Sequence, residues 1–343
     1  SPSMYGVETH LQRNFMRRWG LRQRNARWSI FYIMRGDFML LMCKNTPIYD
    51  IDNEKILNTN LLPGLMKQKC ANNHTFTKWM KYRYSSGTNT MARKLKGIIF
   101  GQGARMRINR ETRALSFSDC YWIKATDDPI RFEEISPYYK PFWDGSEAFA
   151  GQAAPTLYVG GALSKEWKQD GKLYKYGDIS VELQCIELCR KCGISVENAD
   201  ETKGGIAIYN ITSPMLMLEQ ADQSGRLDPD EFDEQTIIDL FGKTGAQMLI
   251  IDAVIGNGDR HAGNFGWLRN TDTGEYVSMA PLYDFDHALD STLESDRLLT
   301  DAVKFCMPYK DEVRRIAEIA AEEANEVFRK RAQSILKLIE CLF

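Results

Sequence analysis

The chain has 343 residues, 43% of them hydrophobic and 26% charged, with a formal net charge of −2. That length allows two domains and a substantial core, and the near-neutral balance gives no overall electrostatic reason to expect nucleic acid or an anionic membrane as a direct partner. No stretch approaches the length of a membrane-spanning helix, the N-terminus lacks the apolar centre of a signal peptide, and Ser1-Pro2-Ser3 ahead of Met4 looks like a cloning remnant. Eight cysteines scattered over so long a chain form no disulfide framework, so the expected compartment is the reducing cytoplasm.

Residues 11–35 hold Arg13, Arg17, Arg18, Arg22, Arg24, Arg27 and Arg35 without an acid and read as a solvated basic arm. Ser29–Cys43 and Ile48–Leu62, rich in β-formers and separated by a polar turn, predict a small sheet. Phe76–Gly97 reads as helical, with Trp79, Tyr82, Met91 and Leu95 inward. Ser85-Ser86-Gly87-Thr88-Asn89 divides it in two. Leu115–Lys124 is an apolar, aromatic strand or turn in which Asp119, Tyr121 and Trp122 read as packing and turn residues. Asp127–Ser146, with Pro129, Pro137 and Pro141 among aromatics, suits a connector laid over a surface, and the domain boundary is placed near its end.

Thr156–Trp167 contains Gly160-Gly161, and a short strand follows at Lys172–Lys175. Val181, Cys185, Leu188, Cys189 and Cys192 recur at helical spacing. The C-x3-C-x2-C order matches the iron–sulfur signature of radical SAM enzymes, but the spacing describes the buried stripe of a helix in which cysteine is a small hydrophobe. Ile206–Ile211 predicts a strand. Asp228-Pro229-Asp230-Glu231 predicts a helix start with Asp228 as N-cap, leading to a helix or pair of helices through the apolar run Met248–Val254.

Ile255–His287 holds the most specific pattern. Asp259 and Asn264 lie five apart among Gly256, Gly258 and Gly263, too broken by glycine for a helix. Phe265–Leu268 and Tyr276–Met279 are short apolar runs, and Asn270–Glu275 supplies the turn of a hairpin. A hairpin returns Asp284 beside Asn264. Hard oxygen ligands of this kind suit a Mg²⁺ ion that keeps several waters and binds substrate phosphates, leaving Asp259 to accept a proton from a hydroxyl nucleophile. Asp290–Thr300 is a polar segment with Ser291, Thr292, Ser295 and Thr300. Asp311–Phe343 reads as one or two amphipathic helices with Val313, Ile316, Ile319, Val327, Ile335, Leu338, Ile339 and Leu342 toward the core.

This constellation resembles that of kinases, in which a catalytic Asp precedes a metal-binding Asn by five residues and a second metal Asp opens a DFG motif after a hairpin. The order Asp259-Arg260-His261, the preceding Ile255-Gly256-Asn257 and the later Ala280-Pro281-Leu282-Tyr283-Asp284 resemble the HipA-like kinases in particular, and phosphatidylinositol kinases more distantly. A departure stands at Asp286, where DFG has glycine, which puts the geometry of the metal loop in question. The segment around Asp119, Tyr121 and Trp122 is similar to one found ahead of the kinase core in one branch of HipA-like proteins.

The resemblance implies an α+β fold. A smaller N-terminal sheet-and-helix domain with its connector (1–148) would precede a two-lobed protein-kinase-like domain (149–343), with a small lobe at about 149–212 and a helical large lobe at about 213–343. It further implies a phosphate loop at Gly160 and Gly161 with Ser164 close behind. Lys175 would be the lysine on the nucleotide phosphates, with Lys172 as the alternative, and Glu182 the helix acid that positions it, with Glu187 competing. Thr212-Ser213-Pro214 would be the hinge, Asp290–Thr300 would occupy the place of an activation segment, and ATP and Mg²⁺ would be the cofactors, with Asn264 and Asp284 on the metal and Asp259 as the catalytic base. The implied activity is phosphoryl transfer to a protein serine or threonine, including autophosphorylation at Ser164 or within 291–300, with a regulatory partner protein as in some family members. A small-molecule or lipid-headgroup kinase of the same fold, and a nucleotide-binding scaffold without turnover, are the rival readings.

Overall fold

The computed structural model describes residues 39–83, 90–98, 104–160, 163–228, 232–289 and 297–342. The basic arm, Gly161, the segment 84–89 and Ser291, Thr292 and Ser295 lie outside the described residues.

The chain first builds an antiparallel sheet from β1 (Met39–Cys43), β2 (Thr46–Asp50), β3 (Lys55–Ile56) and β4 (Tyr121–Ala125), in the order β3-β2-β1-β4. Helices α1 (Gly64–Gln68), α2 (Asn73–Tyr82), α3 (Thr90–Ile98) and α4 (Ala104–Glu111) intervene between β3 and β4. A capping box starts α2: the Asn72 side chain accepts from the Thr75 amide and the Thr75 hydroxyl from the Asn72 amide, both at 3.0 Å. The Asp119-x-Tyr121-Trp122 segment is structural. Asp119 takes Arg83 and the Tyr121 amide, Tyr121 donates to the Leu61 carbonyl, and the buried Trp122 indole donates to the Lys44 carbonyl. The connector that follows includes the single turn α5 (Phe132–Ile135) and buries Phe132, Phe142 and Trp143.

A 3₁₀ turn at Pro155–Tyr158 leads into a second antiparallel sheet of β5 (Ser164–Trp167), β6 (Lys172–Tyr176), β7 (Ala199–Thr202) and β8 (Gly205–Tyr209), ordered β5-β6-β8-β7. Helix α6 (Ser180–Lys191) lies between β6 and β7 in sequence. Its Cys185 and Cys189, with Cys192 just beyond its end, are buried in the main core, as hydrophobic residues would be. A third sheet, ordered β11-β10-β9, joins β9 (Leu216–Gln220) to the hairpin of β10 (Gly266–Asn270) and β11 (Tyr276–Met279). Strand β9 is not evident from the sequence, where its five residues are too few and too mixed to stand out beside the turn that precedes them.

The remaining helices are α7 (Ala221–Ser224), α8 (Glu234–Phe241), α9 (Lys243–Ile255), α10 (Arg297–Phe305), α11 (Lys310–Ala320) and α12 (Glu326–Leu342). Helix α9 is apolar on all sides because α8, α10, α11 and α12 all pack on it, burying Met248 through Ile255. Two expectations need correction. The helix expected to start on Asp228 starts instead at Glu234, where Asp233 accepts from the Thr236 amide at 2.8 Å; Asp228 belongs to no helix, because the better-placed cap lies nearer the apolar stripe Ile237–Ile238. The polar segment expected through Thr300 gives way to α10 at Arg297, with Leu299, Ala302 and Val303 buried on its inner face.

One buried ion pair ties the first sheet's helices to the hairpin. Arg269 on β10 is 1% exposed and donates to Glu219 on β9 at 2.9 Å, to the Leu62 and Asn60 carbonyls at 3.2 Å each and to the Gly274 carbonyl at 3.1 Å. Glu219 in turn accepts from the Gly64 amide at 2.6 Å and the Tyr276 hydroxyl at 2.5 Å. Replacing Arg269 by Met strands a buried carboxylate, so urea titration should show a loss of roughly 3–5 kcal/mol. The double variant Arg269→Met/Glu219→Leu should lose less than the single one; an equal or greater loss would show that packing rather than charge dominates here.

Candidate active site

Helix α9 ends at Gly256, whose φ of +67° is the left-handed turn that glycine adopts freely. The chain then runs through Asn257–Asn264, and its course is fixed from beneath by Asp252, an acid 1% exposed within the apolar helix. Asp252 receives the Asn257 side chain at 3.0 Å and a two-pronged grip from Arg260, Nε to Oδ2 at 2.9 Å and Nη2 to Oδ1 at 2.8 Å. The third guanidinium nitrogen donates to the Asn264 carbonyl at 2.9 Å and the Tyr283 carbonyl at 3.1 Å. One arginine therefore holds the backbone of Asn264 and the backbone leading into Asp284, which brings the two ends of the hairpin together. The Asn264 side-chain amide donates to the Asp259 carbonyl at 3.2 Å, turning its oxygen away from that contact. Asp259 itself is half-exposed, with His287 at 3.7 Å and His261 at 3.9 Å from its carboxylate.

Opposite this loop stands the second sheet. Lys165 of β5 and Lys175 of β6 are direct cross-strand partners, an arrangement of like charges that costs stability unless something lies between them. The Asp284 carboxylate is 2.8 Å from both ammonium groups. Asp286 lies 3.4 Å from Lys165 and 3.8 Å from Lys175, and Glu182 in the first turn of α6 meets Lys175 at 2.5 Å. On β8, Ile206 pairs with Lys175 and Gly205 with Tyr176, and the glycine lets the β6 backbone come close: a Cβ there would sit 1.9 Å from the Lys175 carbonyl oxygen.

Burial opposes the charge on Lys175, but Asp284, Glu182 and Glu197 outweigh it and raise its pKa. Burial likewise opposes ionisation of Asp284, yet Lys175 and Lys165 hold its carboxyl far below the usual range. Asp286 is pushed the other way, by burial and then by its hydrogen bond to Asp284. Glu197, 5% exposed and facing the Asp284 amide at 3.4 Å, is raised to about 8, chiefly by burial. The floor of the site thus gathers four acids, Glu182, Glu197, Asp284 and Asp286, around two lysines; among the described residues no group of three or more His, Cys, Asp or Glu side chains is placed to hold a metal ion by itself, so a cation here would draw most of its shell from water and phosphate.

These residues border a cavity of about 410 Å³. Its polar lining includes Lys165, Lys175, Asn264 and Asp284, its apolar lining Phe117, Trp167, Leu173, Ile208 and Leu218. Gly160 also lines it. Glu182 lies behind Lys175, and Asp259 lies beside the cavity next to the lining residue His261. Ser164 is exposed at the start of β5 and pairs with Tyr176; strand alternation puts its side chain on the face opposite Lys165. The two alternatives point elsewhere: Lys172 pairs with Asp200 over the Tyr209 ring, and Glu187 is exposed beside Lys191.

Sequence reasoning does not single out Lys165, Asp252 or Glu197. Two of them carry a signal that could have found them: Lys165 lies on the strand just ahead of the Lys175 strand across a tight turn, and Asp252 is the lone acid in an apolar run. Asp286 answers the question raised by its departure from glycine. The left-handed residue of this loop is Asp284, at φ +62°, and position 286 does not have the positive φ that would call for glycine.

No protein-family model matches the chain, and no curated protein matches it in sequence. Among solved structures it is similar to HipA of the Shewanella oneidensis MR-1 toxin–antitoxin system, determined with HipB and operator DNA, at a TM-score of 0.56 and 12% identity over 88% of this chain and 97% of that one. The Helicobacter pylori proinflammatory kinase CtkA aligns at a TM-score of 0.33 and 15% identity over 52% of this chain and 92% of that one, too loosely to bear on the fold. The fold is therefore α+β and similar to that of HipA.

The Glu197 carboxyl gives a test of this electrostatic arrangement. Its folded pKa of about 8 lies above the ordinary glutamate value of 4.5, so the folded state binds the extra proton between those limits. Its contribution to stability is present below pH 4.5 and is lost as the pH rises through 8. Urea titrations in steps from pH 5 to pH 9 should show wild type losing stability most steeply below pH 8, by at most about 1.4 kcal/mol for each tenfold fall in proton concentration, and Glu197→Gln losing less. Parallel pH profiles for the two proteins would refute the assignment.

Proposed function

We propose that the chain is an ATP- and Mg²⁺-dependent phosphotransferase, a HipA-like kinase whose acceptor is a serine or threonine of a protein. The observation that carries this reading is the meeting of Lys175, Glu182 and Asp284 in one ion cluster beside the loop that presents Asp259 and Asn264. In this reading 149–212 is the small lobe and 213–343 the helical large lobe of a two-lobed domain, 1–148 is a preceding domain, and the cavity between the lobes takes ATP. Gly160, which lines the cavity, approaches the phosphates, and Ser164 follows close behind it in sequence. Lys175, held by Glu182, binds the phosphate oxygens. Asn264 and Asp284 would hold Mg²⁺, which when bound neutralises charge on the transferring phosphoryl group. Asp259, open to solvent and free of the lysines, receives the proton of the incoming hydroxyl. His261 and His287 border the same carboxylate and limit how it can turn. A regulatory partner protein and a cytoplasmic location belong to the same proposal; among the described residues no helix is long and apolar enough to cross a membrane.

The roles separate in experiment. Asp259→Asn should lower phosphotransfer by roughly 10²–10⁴ while leaving ATP affinity nearly unchanged. Asn264→Ala and Asp284→Asn should weaken ATP binding and remove most of its Mg²⁺ dependence, read by calorimetric titration with and without Mg²⁺. Loss of ATP binding in Asp259→Asn, with full Mg²⁺ dependence kept in Asp284→Asn, would reverse the assignment. Labelled ATP given to the protein with cell extract should mark a protein band; label in metabolites or lipids would point to a different acceptor, and no label to a scaffold.

Autophosphorylation is the further expectation, on Ser164 or within 291–300. Because Ser164 projects from the outer face of β5, its modification would require a second molecule and rise with the square of protein concentration. Intact-mass measurement after ATP treatment should show added phosphate, and peptide mapping that finds it only upstream of 149 would defeat the idea.

A further inference from the structure

The cavity is not closed by the kinase-like region alone. Phe117 and Ser118, from the segment between α4 and β4, line it together with Asn210, Ile211 and Thr212, the connector that follows β8. The first segment is bonded both to the connector and to the strand that follows it. The Phe117 carbonyl accepts from the Tyr138 hydroxyl at 2.5 Å and from the Thr212 hydroxyl. The two hydroxyl oxygens lie 2.7 Å apart, and the Asn210 side-chain oxygen accepts from the Thr212 amide at 3.0 Å and lies 2.7 Å from the Thr212 hydroxyl. Further on, the Ser118 carbonyl accepts from the Leu218 amide at 2.7 Å, which ties the middle of β9, the strand after the connector, to the same segment. The Phe117 ring, 3% exposed, meets Trp167 of β5 at 4.5 Å between centroids and packs edge-on against Tyr138 at 5.2 Å and Phe142 at 5.5 Å.

Resting on the nucleotide reading above, we infer that this Phe117–Tyr138–Thr212 junction is a positioning device for the base of the nucleotide, and that residues upstream of 149 are part of the nucleotide site. The cavity's apolar residues Phe117, Trp167, Leu173, Ile208 and Leu218 suit a flat aromatic base, while its lysines are spoken for by phosphates. A base held there lies against the Asn210–Thr212 connector. The junction freezes that connector before the ligand arrives, so binding does not have to order it. Removing a hydroxyl from the junction frees the connector and weakens the grip on the base, while the phosphate end, built from Lys165, Lys175 and Asp284, keeps its geometry.

The test is calorimetric titration of full-length protein with Mg²⁺ and either ATP or inorganic triphosphate, which has no base, beside steady-state kinetics with ATP. Thr212→Val and, independently, Tyr138→Phe should each weaken ATP about five- to tenfold, the range expected when one buried hydrogen bond is lost. They should raise KM for ATP far more than they lower kcat and leave triphosphate affinity within about twofold, because the lysine end of the site is unchanged. Thr212→Ser, which keeps the hydroxyl, should restore wild-type ATP affinity. If the variants melt at lower temperature but bind ATP as wild type does, or if they lose ATP and triphosphate equally, the junction is structural and the inference falls. A wild-type protein that binds triphosphate but not ATP would also overturn it, and one that binds neither would overturn the nucleotide reading on which it rests.

Discussion

The site depends on one buried pair, Asp252 and Arg260. The carboxylate is fixed on the central helix, against which four other helices pack, and the guanidinium gives its third nitrogen to two carbonyls that belong to different ends of a hairpin. Loop residues are ordinarily free to drift, because few contacts hold them. Here the position of Asn264 and the entry to Asp284 are both referred to a rigid helix through a planar group with fixed donor directions. A lysine could satisfy the charge of Asp252, but with one nitrogen it could not span both carbonyls and the carboxylate. The electrostatics also agree: burial works against the charge on Arg260, and the adjacent Asp252 more than restores it.

The sheet side of the cavity obeys a different constraint, strand alternation. Lys175 points inward, so Lys172 three positions earlier must point outward, where it sits with Asp200 and Tyr209. The same parity sends Ser164 and Lys165 to opposite faces. Glu182 faces Lys175 because it lies in the first turn of α6, three residues past Ile179, whereas Glu187 falls on the exposed side of that helix. The choices that the sequence leaves open between two lysines and two glutamates follow from periods of 2 and 3.6.

Much of this is legible in the sequence. The hairpin around Asn270–Glu275, the helix beginning at Ser180, the cysteine stripe and the apolar helix under the loop of Asp259 and Asn264 all announce themselves through turn residues or periodicity, and the structure shows each of them. The pairing of Lys175 with Glu182 is reached through resemblance rather than through the residues themselves. What stays hidden is of two kinds. Short elements such as β9 carry too few residues for a period to register, and the start of α8 is ambiguous because Asp228-Pro229 and Asp233 offer equally good local caps, a tie broken only by packing. Long-range partners are the other kind. Nothing near Phe117 in sequence points to Thr212, 95 residues away, because a carbonyl acceptor carries no side-chain signature.

The departure at Asp286 and the second lysine are best understood together. Without Asp286, the Asp284 carboxylate would be shared by Lys165 and Lys175 while Glu182 contacts Lys175 alone, so Lys165 would be the less well compensated of two like charges held side by side. With Asp286 adjoining Asp284, the two lysines face two carboxylates, and Glu182 holds Lys175 from behind. The loop can accept a side chain at 286 because its left-handed turn falls at 284, where aspartate tolerates it better than most residues. Glycine at 286 would leave Lys165 with only a share of Asp284, and loss of Lys165 would leave Asp286 an excess buried acid, its pKa already raised by burial and by its bond to Asp284. Each change is costly alone and stable as a pair. Lys165 and Asp286 therefore form one electrostatic unit, added to the Lys175–Glu182–Asp284 arrangement rather than substituting for any part of it.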